Sequence, residues 1–357
     1  MVAAGRSLPR GPAYSTVNDM KTPEPGSPME RGLSRRTFLG AMAASAGGAA
    51  LLAAGCGSSG GNKTPVAGTP SPASGATASS SANPSGITPA LLTSDFVANQ
   101  DNRFSVGLID SQRKLVKDAK VHLRFFTIGA DGKTGALRGE GDADFFELNV
   151  AGAHAHDTSP AGAAGDDSVS FYVVNTPFDV AGKWGVEVDV TPNDGSQPVK
   201  IQQQFAVKAQ SDTPGIGTIP PASRNDTTAT IPPPTSLCSR IPPCPLHDKV
   251  IGDVLGKGRP LVVQFSTPAY CQTRFCGPVL EVLLTQVPKY QDRVDFVHIE
   301  VWQDILLQKY RPAMLEWKLA TEPYTFFMAK DGRVVGKYEA IFSDEELTSA
   351  LEQLVKL

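Results

Sequence analysis

The sequence carries no surplus of either charge: 33 lysines and arginines stand against 36 aspartates and glutamates in 357 residues, a formal net charge of −3. A chain that neutralises phosphates needs a basic balance, so nucleic acid is not an expected partner. Cysteine is scarce, five in all, which makes the place of each sulfur informative. Glycine and proline, 34 and 29 in number, thin out over long stretches and crowd into two, which read as linkers. The length and the 41% apolar content suffice for two ordinary domains.

Residues 1–56 contain Ser34-Arg35-Arg36-Thr37-Phe38-Leu39-Gly40, then an Ala- and Gly-rich apolar run to Ala54 and Gly55-Cys56. The Arg35-Arg36 pair before Phe-Leu resembles a twin-arginine export signal, with an N-terminal transmembrane anchor as the alternative. Leu52-Ala53-Ala54-Gly55-Cys56 resembles a bacterial lipoprotein signal, which implies that Cys56 carries lipid and anchors the chain to a membrane. Residues 57–88 are mostly Gly, Ser, Ala, Thr and Pro, too poor in apolar side chains to offset their chain entropy, and read as a disordered tether. An extracytoplasmic setting would let thiols oxidise and stay oxidised.

Residues 89–208 follow period two. Phe104, Val106 and Leu108 alternate with polar neighbours, as do Val121, Leu123 and Phe125, and further runs cover 145–150, 168–174, 185–190 and 199–207, with the turn Asn193-Asp194-Gly195. This predicts an all-β sandwich of the immunoglobulin-like class. Phe178 to Trp184 resembles a passage of small periplasmic sandwich domains. His154-Ala155-His156-Asp157 reads as a solvated loop rather than a metal site, and His122 as a residue on the outer sheet face.

Residues 209–245 form a Pro-rich linker in which Cys238 and Cys244, separated by five residues in a stiffened segment, suit a small structural disulfide. No metal or catalytic role is expected for this pair, since only His247 lies close by in sequence.

From 246 to 357 the pattern turns to alternating strands and helices. Leu261–Phe265 is a buried-strand run, Val279–Val287 has helical spacing, Asp295–Val301 reads as a strand and Ile305–Leu319 as a helix. Thr325–Met328 and Val334–Tyr338 flank the hairpin turn Lys330-Asp331-Gly332-Arg333. Ser343 with Glu346 forms a capping box ahead of the stripe Leu347, Ala350, Leu351, Leu354.

With Cys271 and Cys276 at the first strand-to-helix junction, Tyr270 before them, Pro278-Val279-Leu280-Glu281 after them and Glu322-Pro323-Tyr324-Thr325 ahead of a strand, this region resembles the thioredoxin-like superfamily. The resemblance implies an α/β fold, a cis Pro323 facing the cysteines, and a substrate groove formed with Glu322 and Tyr270. A thiol at a helix N-terminus has its thiolate stabilised, so Cys271 is expected to attack and the deeper Cys276 to resolve. Residues five apart in an ideal helix lie about 8.6 Å apart, beyond the roughly 7 Å reach of a disulfide. Cys271 therefore belongs to the loop, with Pro278 at the first helical position, or oxidation unwinds a turn. In a second register, Phe275-Cys276-Gly277-Pro278 takes the motif and Cys276 is the nucleophile.

The expected function is an extracytoplasmic, membrane-anchored thiol–disulfide oxidoreductase acting on protein thiols or disulfides with a membrane or extracytoplasmic redox partner. No cofactor and no metal are expected. The alternatives are a non-catalytic adaptor whose 271–276 disulfide is structural, a thiol peroxidase resembling bacterioferritin-comigratory-type peroxiredoxins through Thr267-Pro268-Ala269-Tyr270-Cys271, and a copper chaperone recruiting His298. The peroxidase likeness is defective: its threonine belongs three residues before the cysteine, and Thr267 stands four before.

Overall fold

The computed structural model describes residues 86–149, 168–231, 237–271 and 275–357, all within one compact unit, Pro70–Leu357. Arg35, Arg36, Cys56 and the His154–Asp157 loop lie outside the described residues. Among those described, no helix is long and apolar enough to cross a membrane.

Eight strands come first: β1 Thr88–Leu91, β2 Gln100–Ile109, β3 Lys120–Ile128, β4 Thr134–Asp142, β5 Asp144–Asn149, β6 Ser168–Phe178, β7 Gly182–Thr191 and β8 Val199–Val207. They pair antiparallel in two four-stranded sheets, β1-β2-β6-β5 and β4-β3-β7-β8. The inward side chains of the alternating runs meet between the sheets: Phe104, Val106 and Leu108 from one, Val121, Leu123, Phe125, Val186 and Val188 from the other. Phe96, Phe104, Phe125, Phe178 and Phe205 stack edge and face within that core. Trp184 closes one end, its indole N–H donating to the Val180 carbonyl at 2.9 Å. β4, Thr-Gly-Ala-Leu-Arg-Gly-Glu-Gly-Asp, is an edge strand whose glycines hide the alternation. His122 does lie outside the core, its Nδ1 2.7 Å from Asp142 on β4, which raises its pKa.

The second half contains α1 Ile251–Val254, β9 Leu261–Ser266, α2 Cys276–Tyr290, β10 Asp295–Glu300, β11 Trp302–Asp304, β12 Lys309–Tyr310, α3 Pro312–Glu316, β13 Tyr324–Met328, β14 Val334–Glu339 and α4 Asp344–Leu354. The sheet order is β10-β9-β13-β14; β9 and β10 run parallel through the α2 crossover, and β13 and β14 are antiparallel. Gly332, at φ +87°, makes the β13–β14 turn. Ser343 accepts from the Glu346 N–H at 3.1 Å while Glu346 Oε2 accepts from the Ser343 N–H at 3.0 Å, so the capping box is closed. The helix read over Ile305–Leu319 is replaced at its start by a hairpin. β11 pairs with β12, Trp302 stacks on Tyr310, and Leu306 and Leu307 at its tip are 91% and 76% exposed. Only α3 is helical, because apolar spacing here reflects a stacked ribbon and not a buried helical stripe.

The two halves share an interior. β6 reads Phe171-Tyr172-Val173-Val174 without alternation because its sheet is buried on both faces. Tyr172 points into the sandwich core, while Phe171, Val173 and Leu148 join Val279, Leu280 and Leu283 of α2 and Leu347, Leu351 and Leu354 of α4 in one cluster. At 25 cal/mol per Å², removing such aromatic and aliphatic side chains from water contributes about 1.5–3 kcal/mol each.

The stretch read as a linker forms no strand or helix among its described residues, yet it is fastened to the α/β half. Gly217 and Thr218 trade backbone hydrogen bonds with Val334, Gly252 donates to Ser223, and Arg311 reaches Asp226 at 2.7 Å. Leu237, Cys238, Cys244, Leu246 and His247 are buried.

Candidate functional sites around two cysteine pairs

The sheet of the α/β half has one face with an apolar centre, where Val263, Phe265, Val297, Ile299 and Phe326 meet Met314 and Trp317. The other face changes along the strands: Val262, Phe296 and Phe327 are apolar, and then the buried polar side chains Gln264, Ser266, His298, Glu300 and Thr325 take over. This polar end lies at the carboxyl ends of the parallel strands β9 and β10, where open α/β sheets place their chemistry. Both amide atoms of Gln264 and the hydroxyls of Thr267 and Thr325 are buried there without a hydrogen-bond partner.

Cys271 sits in the loop before α2, half-buried, and Cys276 is the first residue of that helix, fully buried. The helix begins ahead of Gly277, so Pro278 falls on its third position instead of its first, still within the turn whose N–H groups need no helical acceptor. One of those orphan groups, the Cys276 N–H, donates to the Cys271 sulfur at 3.3 Å. The two sulfurs and a Glu322 carboxylate oxygen lie within 4.8 Å of one another. Neither sulfur is engaged in a disulfide. Burial pushes the Cys276 thiol well up, and its hydrogen bond with Cys271 and the charges of Cys271 and Glu322 add to that. Burial likewise pushes the Glu322 carboxyl up to about 7, with Cys271 and Glu300 contributing. The Glu322–Pro323 peptide bond is cis, Pro323 is buried, and Tyr270 stands exposed beside the pair.

The second pair departs from the sequence reading. Cys238 and Cys244 are close together, but they are free thiols rather than a disulfide. Two imidazoles complete the cluster: His247, three residues beyond Cys244, and His298 from the middle of β10. All four side chains are buried, with ligand atoms within 4.8 Å of one another. The Cys238 thiol is held far below its ordinary value, first by its hydrogen bond with Cys244, and that same bond pushes Cys244 up. Sequence reasoning missed this set because His298 lies 51 residues from His247 and alternates with apolar neighbours like any strand residue. The signal was present only as one imidazole in the strand read over Asp295–Val301. His298 is also withdrawn from the copper-chaperone reading, since its Nδ1 faces Cys244 at 3.3 Å and its Nε2 faces Ser266 Oγ at 2.8 Å.

The clusters are mechanically connected. Ser239, next to Cys238, accepts from the Ala269 N–H at 3.1 Å in the loop that leads to Cys271, and Arg240 holds Glu281 of α2 through both carboxylate oxygens at 2.6 and 3.1 Å.

No family model matches the chain, and no curated protein matches it. Among solved structures, the chain is similar to one described as "Crystal structure of Trgpx in apo form", at 14% identity and a TM-score of 0.22, over 30% of this chain and 87% of that one.

Proposed function

We propose that the chain is a thiol–disulfide oxidoreductase built on a thioredoxin-like α/β module behind an immunoglobulin-like sandwich, exported and held at a membrane through lipid on Cys56. The observation that carries the redox reading is the Cys276 N–H donating to the Cys271 sulfur at the start of α2, with Cys276 buried behind it. A sulfur that accepts from a helix N-terminus is stabilised as thiolate, and its partial exposure leaves it open to a substrate. This favours Cys271 over Cys276 as the nucleophile. The strand order β10-β9-β13-β14 with a parallel β9–α2–β10 crossover supports the module assignment.

In the oxidising direction for the enzyme, the Cys271 thiolate attacks one sulfur of a substrate disulfide, forming a mixed disulfide and releasing a substrate thiolate. Cys276 then passes its proton to the Glu322 carboxylate and attacks Cys271, closing the intramolecular disulfide and releasing the second substrate thiolate. The substrate disulfide is reduced by two electrons and the enzyme dithiol is oxidised by two. A carboxyl pushed up to about 7 suits that proton transfer, because it exchanges its proton near neutral pH.

Insulin-disulfide turnover by the full chain, with dithiothreitol as reductant, tests the reading. The wild type should exceed the uncatalysed rate, Cys271→Ser should fall to it, and Cys276→Ser should accumulate a mixed disulfide. Equal rates for wild type and Cys271→Ser would reject the enzyme in favour of an adaptor. A peroxide-reduction assay on the same proteins addresses the peroxidase reading, whose one favourable observation is the buried, unpartnered Thr267 hydroxyl.

A further inference from the structure

Segment 237–247 has no strand or helix and is rich in proline, yet Leu237, Cys238, Cys244, Leu246 and His247 are buried at its two ends while Ile241 between them is exposed. An irregular backbone rarely stays inside without something to bind it. The four side chains that converge there supply the means. Cys244 Sγ lies 3.2 Å from His247 Nε2 and 3.3 Å from His298 Nδ1; Cys238 Sγ lies 3.7 Å from His298 Nδ1; the two imidazole nitrogens are 3.2 Å apart. Around a tetrahedral zinc with Zn–S of about 2.3 Å and Zn–N of about 2.05 Å, neighbouring donors sit about 3.3 Å apart for N to N and about 3.6 Å for N to S. These four edges lie within about 0.4 Å of that tetrahedron, the Cys244 edges being the short ones.

The His298 ring is also oriented for ligation. Its Nε2 faces the Ser266 carbonyl at 3.2 Å as well as the Ser266 hydroxyl at 2.8 Å. A carbonyl only accepts, so Nε2 carries the proton and Nδ1 turns a lone pair toward the sulfurs. That outer hydrogen bond is the kind that fixes the tautomer of metal-bound histidines. A Cys238–Cys244 disulfide would give neither imidazole a reason to point its nitrogen at the pair.

We infer that Cys238, Cys244, His247 and His298 form a closed, structural zinc site that clamps segment 237–247 onto β10 and thereby braces the loop that carries Cys271. Four protein donors and full burial leave no open position for substrate, which distinguishes a structural site from a catalytic one. Binding one Zn²⁺ releases two thiol protons and leaves a neutral site, with no oxidant or reductant involved. The inference does not depend on thiol exchange at Cys271.

The test is metal analysis of the full chain expressed in zinc-replete medium and purified without reductant or chelator. Zinc should be retained through dialysis at about one ion per chain. It should persist in the Cys271→Ser/Cys276→Ser double variant and disappear in Cys244→Ser and His298→Ala. Cobalt exchanged into the wild type should show intense tetrahedral d–d bands together with thiolate-to-cobalt charge transfer, a readout that needs no folded variant. The inference is overturned by a wild type without zinc, by copper in its place, or by zinc that leaves with the Cys271/Cys276 pair. A Cys238–Cys244 disulfide in the unreduced chain, seen by mass after alkylation, overturns it too.

Discussion

Arg103 of β2 grips Glu346 of α4 with two parallel bonds, Nε to Oε1 at 2.6 Å and Nη2 to Oε2 at 2.9 Å, and the same Nη2 donates to the Ile341 carbonyl at 2.9 Å. The guanidinium also lies over the Phe171 and Tyr338 rings at 5.8 and 5.2 Å. Glu346 thus closes the cap of its own helix and ties that helix to the sandwich. Removing one partner of a largely buried ion pair strands the other, so Arg103→Ala should cost about 3 kcal/mol. Urea denaturation of the full chain reads this directly; a loss under about 0.5 kcal/mol, the usual range of a surface change, would mean that the pair contributes no more than an exposed one.

Glu322 gives a pH signature. Its folded pKa, about 7, lies above the ordinary carboxyl value of 4.5, so the stability that goes with its neutral form is present below pH 4.5 and is lost as pH rises through about 7. Glu322→Gln, which stays neutral, should therefore be more stable than wild type at pH 8 and equal to it at pH 4, with a difference on the order of 3 kcal/mol at most. In single-turnover kinetics the resolving step of the wild type should accelerate across pH 7, and the Gln variant should lose that rise. An identical pH profile in both proteins would remove Glu322 from the proton path.

Asp95 should govern acid sensitivity. It accepts from Lys337 at 2.6 Å and Lys208 at 3.1 Å and from Thr213 at 3.0 Å, joining the start of the sandwich to β14. Burial alone would raise its carboxyl, and the Lys337 charge and hydrogen bond, with Ser211, outweigh that and hold it far below the usual range. The folded pKa is depressed, so this stabilisation is fully present above the ordinary carboxyl value of 3.8 and is lost as pH falls toward the folded value. Asp95→Asn should cost about 3 kcal/mol at pH 7 and flatten the acid limb of the stability curve. An unchanged acid limb would place the titration elsewhere.

The capping box offers a smaller, cleaner measurement. Ser343→Ala removes the acceptor for the Glu346 N–H and should destabilise by about 1 kcal/mol. Glycine at the same position should cost only a few tenths, because it is among the residues that N-cap positions favour. Equal losses for the two substitutions would show that Ser343 acts through packing and not through its hydroxyl.

Where signals were local, the sequence was readable. The capping box, the Asp331-Gly332 turn, the β9 run and the loop position of Cys271 each depend on residues within a few places of one another. Long-range features were not. Nothing near Ile305 tells a stacked ribbon from a helix until Trp302 meets Tyr310. The apolar density of β6 shows burial, but which partner covers its second face is decided by α2 and α4, more than a hundred residues later. His298 looked ordinary because its three companions arrive from a segment without periodicity.

The sheet that is oily on both sides makes the chain indivisible. A product truncated after residue 208 would present Leu148, Phe171 and Val173 to water, and a product starting at residue 246 would bare the matching flanks of α2 and α4. Each fragment alone would be sticky, prone to self-association and short of its proper rigidity. What resembles two beads on a string shares one interior, so that loosening the sandwich should be felt at the sulfur chemistry of the α/β half.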